Sequence, residues 1–479
     1  MMVSSIKNRI LKVMFNNFLS SLLVLFLICS ICFSCSFIQK KQAKAYGVTY
    51  YVDSENGNDL NCGISENKAW KTLEKLGSVN LAPGNKILFK RGTDYSGCLT
   101  VNCSGTSGNP ILISDYGDTK LHAPSFTNVT FDPDNKEYGN CIRLKSSYII
   151  VENLYFHNTV AELPEDAGSF LTMWELGALY IDKNAHHCTI KNNEFFDCGV
   201  GIKSYGQYAK IENNYIHDCN RVLKKWNWGP IGIWLGADYQ EVCFNKIINY
   251  RAENPKINWG PDGYGGGADG SAIEIDDARN EKSNIRIHHN YSRDCQGFLE
   301  VTWTDVAQHP AYLDFKIHHN VSDDYQQFIA LWQGAGCYIE NNTIIRRKVN
   351  ENEWGVFNIT QHNSRNIIRN NIVVTENDVV IFNLGKNGNA QPNNIIENNI
   401  YWAAHGKLNI GMKGPGKGAF ISNPMLLNYS VGLEANDFSL SENSCAIDAG
   451  LNTEYRIDFN GTEIPQGNNP DIGAFEFQN

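Results

Sequence analysis

Ile190-Lys191-Asn192-Asn193-Glu194-Phe195 is followed, one short period later, by Ile211-Glu212-Asn213-Asn214-Tyr215-Ile216. The same order of an apolar residue, two variable ones, Asn, and then a small or apolar residue two places on returns at Val242 to Asn245, Ile287 to Asn290, Ile317 to Asn320, Ile339 to Asn342, Ile368 to Asn371 and Ile396 to Asn399. Successive asparagines are 21, 31, 45, 30, 22, 29 and 28 residues apart. A minimum near 21 with variable excess describes a short obligatory turn of chain that carries insertions. Apolar and β-branched residues alternate within each repeat, over too short a span for a pair of helices. Each repeat therefore reads as one rung of strands stacked on the next. The recurring Asn marks a sharp corner, where its amide can bond the Asn of the rungs above and below.

Less regular rungs precede these at Ile87-Leu88-Phe89, Leu99-Thr100-Val101, Ile111-Leu112-Ile113 and Ile149 to Phe156. The chain thus reads as all-β, one solenoid over residues 46–479. Residues 46–110 supply the first rungs and an N-terminal cap, in which Lys68 to Leu76 is expected to form a short capping helix. Residues 403–479, irregular and rich in Gly, Pro and Asn, are expected to seal the other end.

The first 45 residues hold no acid, carry Lys7, Arg9 and Lys12, and continue into the apolar run Phe18 to Phe33. Ala43-Lys44-Ala45 then offers a small-x-small site. Residues 1–45 read as a signal peptide, and the protein as secreted, at the cell surface or beyond it, with no stable membrane insertion after cleavage. A retained membrane anchor and lipidation at Cys35 are the competing readings. The formal net charge is −10, and removal of a leader with six basic residues takes it to −16. A surface of that sign repels nucleic acid and disfavours strongly acidic polysaccharides, while neutral sugars incur no penalty. A carbohydrate partner and a monomeric chain are the expectation.

Of the 14 cysteines, three lie in the leader. The remaining 11 form no disulfide framework in a chain of this size. Asp197-Cys198, Asp218-Cys219 and Asp294-Cys295 recur at one structural position and read as a buried stack of thiols. Only Cys98 and Cys103 are close enough to suggest a local disulfide. No Cys/His spacing has the form of a zinc site, and no metal is assigned.

Beyond the ladder asparagines lies a second strand in each rung: Ile231-Gly232-Ile233-Trp234-Leu235, Ile273-Glu274-Ile275-Asp276, Leu299-Glu300-Val301-Thr302 and Ile329-Ala330-Leu331-Trp332. With the aliphatic residues inward, one outward column holds Gly232, Glu274, Glu300 and Ala330. Its neighbour holds Trp234, Asp276, Thr302 and Trp332. Like charges stacked about 4.8 Å apart destabilise a sheet unless one carboxyl is protonated or a cation intervenes. One protonated and one ionised carboxyl is the arrangement that hydrolyses glycosidic bonds. No cofactor is required, although bound Ca²⁺ would relieve the same repulsion.

Two insertions, Leu223 to Gly229 and Arg251 to Gly270, leave from one corner beside these acids. They carry Trp226, Trp228, Trp259 and Tyr264 and read as a cleft wall, with Trp234 and Trp332 as sugar platforms. Lys203, in the Glu300 column, and Arg279 are candidates for a carboxylate clamp or a lyase base, or are solvated surface charges. Asp277 and Trp303 flank the acidic strands. His288, His289, His318 and His319 read as exposed or half-exposed members of the ladder.

At these residues the chain resembles the pectate-lyase-like superfamily of right-handed parallel β-helices. Tyr50-Tyr51-Val52-Asp53, Gly57-Asn58-Asp59 and Trp70-Lys71-Thr72-Leu73 look like the start of secreted members, and Pro470-Asp471-Ile472-Gly473-Ala474-Phe475-Glu476 like a frequent ending. Ile275-Asp276 with Phe298-Leu299-Glu300-Val301 is similar to the acid pair of β-helix glycoside hydrolases of the β-xylosidase type. That resemblance implies Asp276 as nucleophile and Glu300 as acid/base, with Glu274 tuning both. The neighbours Asp277-Ala278-Arg279 and Thr302-Trp303-Thr304 depart from that group, so its substrate does not transfer. A polysaccharide lyase, with calcium held by Glu274, Asp276 and Glu300, is the rival enzyme. A non-catalytic glycan-binding solenoid is the rival without chemistry.

Overall fold

The computed structural model describes residues 47–161, 163, 175–223, 228–252, 270–275, 281–301, 311–347, 355–360, 362–376, 378–384 and 393–478. The expected leader and its cleavage site lie outside them. Val48–Asn479 forms one compact unit.

That unit is a parallel β-helix. Each turn of the coil contributes one strand to each of three long parallel sheets, as in Thr189–Lys191 of sheet A, Glu194–Phe196 of sheet B and Val200–Ser204 of sheet C. Sheet A runs from Thr49–Val52 to Ile395–Glu397, sheet B from Asp94–Ser96 to Phe420–Ile421, and sheet C from Leu99–Val101 to Phe382–Asn383. One column of aliphatic and aromatic side chains fills the interior, from Val52 through Ile190, Ile287 and Phe328 to Tyr401.

The asparagines expected at a corner sit between sheets A and B and form the ladder. Asn193 Nδ2 donates to Asn214 Oδ1 (3.1 Å), and the same bond repeats from Asn214 to Asn245, Asn245 to Asn290, Asn290 to Asn320, Asn320 to Asn342, Asn342 to Asn371 and Asn371 to Asn399 at 2.9–3.0 Å. From Asn214 onward each Oδ1 also accepts the backbone N–H of the preceding ladder Asn, as Asn290 Oδ1 does from Asn245 (3.0 Å), while Asn193 Oδ1 accepts the Leu154 N–H (3.0 Å). The residue before each ladder Asn turns the corner in the left-handed region, with φ between 49° and 56° at Asn192, Asn213, Phe244, His289, His319, Asn341, Asn370 and Asn398. The ladder Asn that follows this residue satisfies the bent backbone with its side-chain amide, which is why Asn recurs at that position.

The expected stack of Cys198, Cys219 and Cys295 is buried in the core. Cys98 and Cys103 remain free thiols, so the local disulfide does not form. The segment expected to cap the N-terminus carries a 3-10 turn at Glu66–Lys68 and a five-residue helix, Leu73–Gly77, whose Leu73 and Leu76 enter the core. The C-terminal region differs from the expected end seal. Leu408, Ile410, Met412 and Ala419 pack against the core, but the chain then turns back along the outside of the coil. Phe438, Leu440, Ile472, Ala474 and Phe475 cover outward aliphatic residues of sheet B, including Ile248, Val321, Ile345 and Val374. Those outward positions are too apolar to face water, so the tail buries them.

The same tail covers part of sheet A, where Tyr455 stacks on His318 at 3.8 Å between ring centroids. His288, His289, His318 and His319 are consequently buried rather than exposed. Burial holds His289, His318 and His319 below the ordinary imidazole range, His289 at about 4.

Candidate active site

Strand register on sheet C builds the outward column. Thr100, Arg143, Tyr180, Lys203, Trp234, Glu274, Glu300, Ala330, Asn358 and Asn383 are successive partners. Glu274 stands directly opposite Glu300 as expected, and adjacent strands put their Cα atoms about 4.8 Å apart. The order along the column is hydroxyl, guanidinium, phenol, ammonium, indole, carboxylate, carboxylate, methyl, amide, amide.

Trp234 is the correction. It was expected beside Asp276 in the neighbouring column, but Ile233, not Ile231, pairs with Ile273, and Trp234 therefore stands over Glu274. The cause is a break in alternation that recurs from rung to rung of sheet C. Two consecutive residues face the core before the outward one, as in Ala272-Ile273-Glu274-Ile275, Phe298-Leu299-Glu300-Val301 and Phe328-Ile329-Ala330-Leu331. In the Ile231–Leu235 strand the first of the two is Gly232. A Cβ there would lie 2.6 Å from the Ala272 carbonyl oxygen and 3.2 Å from Ile247 Cγ2, so no larger residue fits. Ile231 is pushed outside the coil, into a satellite cluster with Val160, Leu176, Val200 and Leu223.

That cluster changes the role of two tryptophans. Trp228 and Trp234 belong to it, are 4% and 1% exposed, and meet edge to face at 5.9 Å. They form a packed wall, not open faces for a sugar. Trp228 also closes its own loop, accepting the Leu223 N–H at its carbonyl (2.7 Å). Lys203 is not a solvated surface charge either. It is fully buried, with Nζ 2.9 Å from the centroid of the Trp234 ring.

Glu274 and Glu300 are 3% and 6% exposed. Two carboxyl side chains are thus held side by side and largely shielded from water, between an indole on one rung and a methyl group on the other. Trp332 is half-buried and opposite Thr360, two residues along the strand from Ala330. Asp276, Asp277, Arg279, Trp226, Trp259, Tyr264 and Trp303 lie outside the described residues.

Arg143 and Tyr180 extend the column and were not among the sequence candidates. Arg143 stacks over the Tyr180 ring at 4.2 Å and pairs with Glu175 (2.6 Å) and Asp182 (3.6 Å). Burial lowers the guanidinium's pKa, yet bonding to Glu175 outweighs it and the net shift is upward. Burial raises the Tyr180 hydroxyl well above its ordinary range. The signal that finds both is the shared in-in-out-in order, present at Cys141-Ile142-Arg143-Leu144 and Ala178-Leu179-Tyr180-Ile181.

No protein-family model matches the chain. A lacto-N-biosidase of Bifidobacterium longum subsp. longum is 29% identical over 220 residues, 40% of this chain, and the match spans 13% of that protein's length. Among solved structures, pectate lyase Pel9A superposes with a TM-score of 0.53 at 17% identity, covering 90% of this chain and 96% of that one. The GH136 lacto-N-biosidase of Eubacterium ramulus superposes with a TM-score of 0.52 at 15% identity, covering 78% and 68%. Three parallel sheets wound as a coil, together with the likeness to these two solved structures, give the chain the parallel β-helix fold.

Proposed function

We propose that this protein is a secreted glycoside hydrolase that cleaves a neutral oligosaccharide or polysaccharide on the outer face of sheet C. The observation that carries the reading is the pairing of Glu274 with Glu300 on adjacent rungs, both shielded from water. Repulsion between such carboxylates is relieved when one of them keeps its proton, and a proton donor beside an ionised partner is what glycosidic cleavage needs. Glu300 is assigned as acid/base and Asp276 as nucleophile, with Glu274 setting the charge of the pair. The likeness to lacto-N-biosidases supports a hydrolase and an oligosaccharide substrate. Buried Lys203 holds the Trp234 indole against the acids.

A second reading is favoured by one specific observation. Lys203 stands in the same column as the acids, two rungs from Glu274. In a calcium-dependent lyase a cation held by the carboxylates would neutralise a uronate, and an amine would remove the C5 proton.

One panel of glycans separates the two readings. Lacto-N-biosidase substrates, neutral polysaccharides and uronate polymers are incubated with the full-length protein, and reducing ends and ultraviolet absorbance are followed together. A hydrolase raises reducing ends without absorbance. A lyase raises both, because elimination leaves an unsaturated product.

A further inference from the structure

Glu241, Cys243 and His288 lie on sheet A, a different face of the coil from the paired glutamates. Cys243 and His288 are direct partners in register, and Glu241 is two residues before Cys243 on the same outward side, since Val242 and Ile287 between them fill the core. The other buried cysteines, at 141, 188, 198, 219, 295 and 337, belong to the central core, and Cys243 does not. A thiol has been placed outside the coil and then buried there.

Donor atoms of the three side chains fall within 4.8 Å of one another. Cys243 Sγ is 3.7 Å from Glu241 Oε1, and His288 Nε2 is 3.6 Å from the same oxygen. Four ligands at zinc bond lengths of 2.0–2.3 Å stand roughly 3.3–3.8 Å apart around a tetrahedron, so two of the three separations already suit one ion. His288 is 7% exposed, and its Nε2 has no hydrogen-bond partner. Its other ring nitrogen is 2.8 Å from His289 Nδ1. When His288 donates that shared proton, Nε2 becomes a bare lone pair aimed at a carboxylate and a thiol, which is the ligand orientation that a metal-bound imidazole takes from its outer partner.

Two cations face the carboxylate, Lys210 Nζ at 3.6 Å from Oε1 and Arg286 Nη1 at 3.6 Å from Oε2. A thiolate, a carboxylate and a divalent ion sum to zero charge, which these neighbours do not oppose. A cavity of about 660 Å³ borders Glu241 and His288, is also lined by Tyr455 and Arg456, and has room for a fourth ligand.

We propose that Glu241, Cys243 and His288 bind one zinc-type divalent transition-metal ion, with water from the bordering cavity completing the tetrahedron. The mixed sulfur, nitrogen and oxygen set favours zinc or cobalt over calcium and magnesium, which prefer oxygen alone. The site ties adjacent rungs together beneath the returning C-terminal tail.

The test uses the full-length protein, stripped with chelator, then loaded with Zn²⁺ or Co²⁺ and dialysed. Wild type is expected to retain one zinc per chain and to melt at a higher temperature with zinc than without. With Co²⁺ it should develop a sulfur-to-cobalt charge-transfer band. Cys243→Ser should lose that band, and His288→Gln should lose at least tenfold in affinity, both melting near the metal-free wild type. Absence of the charge-transfer band in cobalt-loaded wild type overturns the proposal whatever the variants do. So does retention of the same zinc equivalent by Cys243→Ser and His288→Gln, which would place the ion on other side chains.

Discussion

Gly232 shows how one residue sets the composition of a site built from strands. Its missing side chain lets the next rung's carbonyl approach to 2.6 Å of where a Cβ would stand, and that approach puts Trp234 over Glu274. Gly232→Val should therefore destabilise the chain by about 1–3 kcal/mol through overpacking, read from urea unfolding, and should lower activity by displacing the indole. Gly201, which meets the Gly232 carbonyl in the same way, should respond similarly. The pairing of Glu274 with Glu300 was legible in the sequence, because Ile-Glu-Ile and Leu-Glu-Val align on their aliphatic residues alone. Trp234 was not. Strict period-two alternation assigns Ile231 to the core, and only the consecutive inward residues at Gly232 and Ile233 reveal otherwise.

At the scale of elements, the asparagine ladder links the corners between sheets A and B along eight rungs. Asn290, in its middle, donates to the Val242 and His288 carbonyls and to Asn320 Oδ1, and accepts from the Asn245 backbone and side chain. Asn290→Ala leaves several buried polar groups unpaired and should cost roughly 2–4 kcal/mol. Asn399, the last of the ladder, bonds only one rung back, and Asn399→Ala should cost clearly less by the same urea titration. This element was fully legible, since amide stacking requires identical residues at a constant offset from the core. The irregular parts were not. Nothing in the spacing of Phe438, Leu440, Ile472 and Phe475 distinguishes a plug over the coil's end from a tail laid along its side.

That tail contributes a pH dependence to the whole molecule through Glu476. Glu476 accepts the backbone N–H groups of Gln466 (3.0 Å) and Asp471 (2.9 Å), and burial, with the nearby charges of Asp471 and Asp458, raises its carboxyl from 4.5 to about 7. Between those values the folded chain holds a proton that the unfolded chain has released. Its stabilising contribution is therefore complete below about pH 4.5 and is lost as pH rises through 7, on the order of 3 kcal/mol. Unfolding of wild type and Glu476→Gln from pH 4 to 8 should show the variant with the flatter profile, whatever its absolute stability. The catalytic reading concerns sheet C, where the coil brings Glu274 and Glu300 into register on adjacent strands. The most direct test is the steady-state rate of Glu300→Gln and Glu274→Gln on a glycan that the wild type cleaves, with melting temperature as the control for folding. Glu300→Gln should lose about 10²–10⁴-fold in kcat while melting like wild type, and Glu274→Gln should shift the pH profile of kcat. Full activity in a folded Glu300→Gln protein would contradict the account.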